Sequence, residues 1–309
     1  ENNRKGNIKL EIIDSQDNLP ILKCGSKTYL PGTFYVSSLK TIRAKAIKEY
    51  KIERKENRMT WNAPFPNQLI VKNLDYQNFM SILGNKYYQD CIFQVDSLTN
   101  CLEMNHSGIT PETGITNYYQ NKTNGSACAL ACPAGAYVRN WHGLRDYKPQ
   151  TKDKQVNVLK FLEKSISNKD DKENRYFDIK NGYIIMNDEQ KDNFKNRLLT
   201  NPKFKDKNFR ENFIDQIGIG VMEDTETLLY GTPRDLKTYK YEPEFDKKFL
   251  VTQAFCSAVS LDPKYNVSDK DNIDILAQAI LDAQYEALLW LTVKNACETG
   301  KNTVFLTPI

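Results

Sequence analysis

CIFQVDSLTNCLEMNHSGITPETGITNYYQNKTNGSACALACPAGAYVRNWH, residues 91–142, is the stretch on which the fold turns. It holds four of the seven cysteines, both histidines and the densest run of small side chains. Residues 91–95 form a short apolar run of the kind a buried strand shows, and the polar Asp96, Ser97, Thr99 and Asn100 follow, so a strand opens into a loop. Residues 107–125 carry Gly108, Pro111, Gly114 and Gly125 among Ser, Thr and Asn, which is loop composition. Loops of that length are more often functional than short ones. Residues 126–136 then place small side chains almost without a break, letting backbone approach backbone or a ligand. Pro133 and Gly135 argue against one uninterrupted helix there.

Downstream, residues 217–222 and 249–259 read as apolar strands, 274–299 as a long helix and 303–308 as a further strand. Ile275, Leu276, Ala279, Ile280, Ala283, Ala287, Leu288 and Leu291 make the helix's apolar face, and Gly300 stops it. Strand, helix, strand is a βαβ unit, which predicts neighbouring parallel strands joined by a right-handed crossover. Residues 156–166 have helical spacing, and Asn181-Gly182 between two apolar runs predicts a hairpin. The charged segment 188–214 reads as two short helices interrupted at Asn201-Pro202. Upstream, 7–13 and two pieces within 28–36, around Pro31-Gly32, form a small β unit. An amphipathic helix over 37–54, a strand at 69–71 and a short helix at 76–83 follow. This divides the chain into an N-terminal β-rich extension with one helix, 1–60, and an α/β domain, 61–309, with a helical insertion around 150–215.

A chain of 309 residues, 40% hydrophobic and 27% charged, buries a sizeable core. Its charge of +4 comes from 43 basic against 39 acidic residues, well mixed, so no basic face for nucleic acid is visible. No apolar run reaches the ~18 residues of a membrane span, and the residues from Glu1 onward lack the charged and apolar regions of a secretory signal, so none is expected. Seven scattered cysteines suggest reduced thiols in an intracellular, cytoplasmic protein more than a disulfide framework. Asn-x-Ser/Thr sites at Asn105, Asn121, Asn124 and Asn266 are what a sequence rich in these residues carries by chance. The chain stops on Thr-Pro-Ile at the carboxyl end of an expected strand, where a phosphate-binding loop would belong, so we expect the sequence to continue.

Several side chains could carry chemistry. Asn100 can donate to and accept from a ribose hydroxyl, or cap a turn through its own backbone. Cys101, His106, Cys128, Cys132 and His142 have the donor types of a zinc site or an activated thiol, but lack a Cys-x-x-Cys knuckle. Small buried cysteines packing as apolar residues are the simpler expectation, and no metal is called for. Arg139 beside Trp141 and His142 can clamp a phosphate and stack a base, or pair with Asp146 while Trp141 fills the core. Gln253, Cys256, Ser257 and Thr307 lie on strands whose carboxyl ends would share a rim with Asn100.

Taken together, Val-Asp-Ser-Leu-Thr-Asn100, the small-residue segment 127–136, the long helix and Val304-Phe-Leu-Thr-Pro-Ile resemble the macrodomain-like fold, including its poly(ADP-ribose) glycohydrolase branch. A closer likeness is to uncharacterised macrodomain-like proteins that share FQV..L.NCLEM, GxACAxACxAGxxxRN and TQAFCSA. The resemblance runs from about Leu69 onward, leaving out the helical insertion. It implies a three-layer α/β/α domain with a mixed central sheet that binds ADP-ribose or a related nucleotide diphosphate sugar, free or on an ADP-ribosylated protein. Hydrolysis of ADP-ribosyl groups is the enzymatic form of that function, and no cofactor is implied. By this likeness Asn100 would contact the distal ribose, Ala127, Cys128 and Gly135 would approach the diphosphate, and Asp75 would face adenine. Arg139 and Thr307 complete the expected ligand-binding set. The chain lacks a Gly-Gly-Gly loop after Asn100 and a Gln-Glu-Glu catalytic signature. The alternative is a structural or interaction protein with a degenerate site, using the N-terminal β unit and the helical insertion as contact surfaces.

Overall fold

The computed structural model describes residues 10–14, 20–55, 76–144, 148–166, 175–202, 207–228, 248–257, 259–260 and 270–307. The strand expected at 69–71, and Asp75 and Asp146, lie outside them. The chain opens on a three-stranded antiparallel sheet of β1 (Leu10–Asp14), β2 (Pro20–Cys24) and β3 (Lys27–Tyr29). Gly32, at φ +82, then turns the chain where a Cβ would overlap the backbone of residues 223–225. Beyond it come β4 (Thr33–Ser38) and α1 (Leu39–Lys55). The β-prone pieces of 28–36 are thus divided between two sheets, and β4 and α1 belong to the central body although both precede residue 61.

Next in order are α2 (Tyr76–Leu83), β5 (Ile92–Ser97), α3 (Asn124–Ala131), α4 (Pro133–Trp141) and α5 (Lys160–Ile166). The helices α3 and α4 meet at Cys132, with Pro133 in the first turn of α4, where the missing N–H costs nothing. A hairpin of β6 (Asp178–Lys180) and β7 (Tyr183–Ile185) turns on Asn181 and Gly182, both left-handed, at φ 48 and 85. A capping box between Asn187 and Gln190 starts α6 (Asp188–Asn193), which runs into a π-turn at Phe194–Leu198. The rest is α7 (Lys207–Asn212), β8 (Gly218–Glu226), β9 (Leu250–Ser257), α8 (Lys270–Thr299) and β10 (Val304–Phe305).

The main sheet has five strands in the order β10-β5-β9-β8-β4, with β10, β5 and β9 parallel and the last two antiparallel to their neighbours. The βαβ unit therefore does not join adjacent strands, because β5 lies between β9 and β10. The thirty residues of α8 span about 45 Å, enough to pass across the intervening strand. Every residue of β5 except Asp96 is buried there, on both faces of the sheet.

On one face, Phe93 meets Phe79 of α2 edge-on, Gln253 donates to the Cys128 carbonyl of α3, and Phe255 lies under Arg139 of α4. On the other face α1 and α8 pack together, burying Leu39, Ile42, Leu276, Ile280, Ala283 and Leu288. Ile275, expected in that apolar face, is exposed instead. Residues 156–159 are not helical, although their apolar spacing matches a helix. Val156 N–H donates to Gln150, Val158 N–H donates to the Thr99 carbonyl, and Gly218 N–H donates to the Val158 carbonyl. Those bonds tie the loop after β5 to the start of β8, and the helix begins only at Lys160. No helix among the described residues is long and apolar enough to cross a membrane.

Candidate functional site

Asn100 is only 1% exposed and its amide is engaged within the chain. Its Oδ1 accepts from Leu102 N–H at 3.0 Å, the turn-capping arrangement, and its Nδ2 donates to Gln155 Oε1 at 2.9 Å. Gly182 of the hairpin packs so closely that a Cβ there would come within 2.7 Å of Asn100 Oδ1. Ala127 and Cys128 are buried on α3. Gly135 lets α4 approach β8, since a Cβ would sit 2.5 Å from Thr225 Oγ1. Thr307 donates its N–H to Gln94 Oε1 at 2.9 Å and accepts from the Tyr285 hydroxyl at 2.8 Å. Ala127, Cys128, Gly135 and Arg139 thus share one helical layer, Asn100 faces the 150–158 loop and the hairpin, and Thr307 lies beside β10.

The thiol and imidazole groups do not assemble. Cys101, Cys128 and Cys132 are buried, and burial pushes all three thiols up, Cys101 and Cys132 to about 12. His106 is exposed and accepts from Gly108 N–H, while His142 lies against Tyr137. Among the described residues no group of three or more His, Cys, Asp or Glu side chains could hold a metal ion.

What the chain does gather is a pair of carboxylates where β5 ends and α3 begins. Asp96 N–H donates to Asn124 Oδ1 at 2.9 Å, fixing the strand end to the helix start. Thr123 caps α3, its Oγ1 accepting from Ser126 N–H, and the same hydroxyl donates to Glu103 Oε2 at 3.3 Å. Glu103 N–H donates to the Tyr118 hydroxyl at 3.1 Å. Gly125 is the hinge of the arrangement, because a Cβ there would overlap both Glu103 Oε1 and the Asp96 carbonyl. Only glycine lets the first turn of α3 come so close. Asp96 and Glu103 both remain partly exposed.

Their proton affinities differ. Burial, helped by the neighbouring Asp96, pushes Glu103 up to about 8, against the pull of Arg139 and of the Thr123 hydrogen bond. Burial alone pushes Asp96 up to about 6. At neutral pH Glu103 therefore holds its proton and Asp96 has mostly lost its own, which puts an acid and a base on one rim. Behind them Arg139, 1% exposed, lies 4.0 Å over the Phe255 ring, and its Nε and Nη1 have no hydrogen-bond partner. Burial lowers its affinity for its proton, which Tyr118, Cys101 and Glu103 nearby partly restore.

Nothing in the sequence motif distinguishes Glu103 from the other acids. The one usable signal is its place between the buried Leu102 and Met104, just after a strand, with Thr-Asn-Gly opening a helix further on. No protein-family model, no curated protein and no solved structure matches the chain.

Proposed function

We propose that the chain hydrolyses ADP-ribosyl-type glycosidic bonds at the rim formed by Asp96, Glu103 and the first turn of α3. The observation that carries this is the Glu103 carboxyl group set against Gly125 at the carboxyl end of β5, the end of a sheet where ligands of α/β folds bind. Asp96 gives its main-chain carbonyl to the same contact, and its carboxylate is near enough to raise the proton affinity of Glu103. Two carboxyl groups, one protonated and one ionised, are the equipment for cleaving a glycosidic bond. Glu103 gives its proton to the leaving atom as the bond to the anomeric carbon breaks. Asp96 takes a proton from the water that bonds to that carbon. Arg139, which favours the ionised form of Glu103, stabilises the carboxylate left behind. The nucleotide diphosphate part of the ligand rests on the macrodomain-like resemblance, and the carboxylates carry the chemistry.

The test is release of ADP-ribose from a mono-ADP-ribosylated protein, with calorimetry of free ADP-ribose in parallel. Glu103→Gln and Asp96→Asn should each slow release by roughly 10²- to 10⁴-fold. Absence of both release and binding at millimolar ADP-ribose rejects the proposal. A second reading, an interaction protein with a degenerate site, is favoured by one observation: the Asn100 amide is spent on Leu102 and Gln155 with the hairpin seated against it. A chain that binds no nucleotide yet elutes as a stable assembly supports that reading.

A further inference from the structure

We propose that the outer edge of β4 docks an extended, acidic peptide segment of another protein. This surface is separate from the carboxylate rim and does not depend on its function. The strand β4 pairs with β8 from Thr33↔Glu223 to Ser38↔Gly218, and among the described residues no strand lies on its other side. In an antiparallel pair every second residue turns its N–H and C=O away from the partner, so this edge presents a row of donors and acceptors. Natural edges are commonly blunted by Lys, Pro or an inward charge, and Thr-Phe-Tyr-Val-Ser-Ser carries none of these.

A groove of about 740 Å³ lies along this edge. It is lined by four consecutive strand residues, Thr33, Phe34, Tyr35 and Val36. Phe34 leans toward the α4 side, where its ring meets Phe255. Tyr35 leans the other way, its hydroxyl donating to Glu223, which also takes Lys294 of α8. A cavity that touches residues from both faces of one strand runs beside its backbone. It therefore has the shape of a missing strand more than of a small-molecule pocket on one face.

Charge identifies the occupant. Lys154 and Lys160 line the groove, both exposed, and neither forms an ion pair among the described residues. Among the described residues no Asp or Glu lines it, while Val138 and Val156 give it apolar surface beside Phe34 and Val36. An added strand with acidic residues flanking an apolar one satisfies the backbone row, the lysines and the apolar floor together. A second copy of the chain does not, since it would bring the same lysines against each other.

Fluorescence anisotropy with three labelled octapeptides tests this: alternating Glu and Val, the same sequence N-methylated at alternate residues, and its Lys-for-Glu counterpart. The acidic probe should bind saturably. N-methylation should weaken it by about tenfold or more, because it removes the ladder donors. Lys154→Glu with Lys160→Glu, both on the exposed rim, should weaken the acidic probe by a similar factor and improve the Lys probe. Equal binding of the N-methylated or Lys probe overturns the proposal, as does no saturable binding of the acidic probe at millimolar concentration.

Discussion

Glu103 keeps its proton through neutral pH because burial and Asp96 both oppose its ionisation, and that has consequences for stability as well as chemistry. Its affinity rises from the ordinary 4.5 to about 8, so between those values the folded chain holds a proton that the unfolded chain has released. Stability from this group therefore falls as pH rises from 4.5 toward 8, and Asp96 adds a fall between 3.8 and about 6. Glu103→Gln removes the first fall. Its melting temperature should match the wild type near pH ~4 and exceed it near pH ~9, by roughly 3 °C or more in a calorimetric scan. If the rim is catalytic, kcat/KM should be bell-shaped, rising as Asp96 ionises near 6 and falling as Glu103 loses its proton near 8. Arg139→Met takes away a cation that favours the Glu103 carboxylate, so the alkaline limb should move upward. None of this is written in residue type. Asn100 could be read as a turn capper from its own neighbourhood, whereas Glu103 becomes unusual only through what folds around it.

The elements with strong local signals form where the sequence places them. Helical periodicity marks α1, α2 and α8, Asn181-Gly182 marks the hairpin, and Pro133 marks the break between α3 and α4. The pattern of 156–159 misleads because Val156, Val158 and Leu159 are apolar at helical spacing, while the backbone groups of Val156 and Val158 are committed to Gln150, Thr99 and Gly218, and Leu159 N–H donates to the Asn157 side chain. Tertiary hydrogen bonds outweigh local preference there. Glycine substitutions can separate local strain from tertiary crowding. Gly125→Ala should cost about 1–3 kcal/mol in denaturant unfolding, because the added Cβ meets Glu103 and the Asp96 carbonyl. Gly182→Ala should cost more than Gly25→Ala. Both adopt positive φ, but a Cβ at 182 meets Leu98 and Asn100, whereas at 25 it meets nothing within 4 Å and leaves only about 1–2 kcal/mol of backbone strain.

At the scale of the whole molecule, the mixed α/β character follows from the sequence, and the strand order does not. The right-handed crossover rule fixes how β9 reaches β10 without saying whether another strand stands between them. The place of β5 there depends on how completely both its faces are buried. Likewise, β4 reaches the far edge of the sheet because Gly32 turns the chain against residues 223–225, a contact between segments remote in sequence. That order sets the carboxyl end of β5 beside α3 and leaves β4 outermost among the described strands. The most direct test of the carboxylate rim is single-turnover release of ADP-ribose from a mono-ADP-ribosylated protein, by the wild type and by Glu103→Gln. The account predicts release by the wild type and retained ADP-ribose binding with at least about a hundredfold slower release by the variant. Release at the wild-type rate by Glu103→Gln, or neither release nor binding by the wild type, would contradict it.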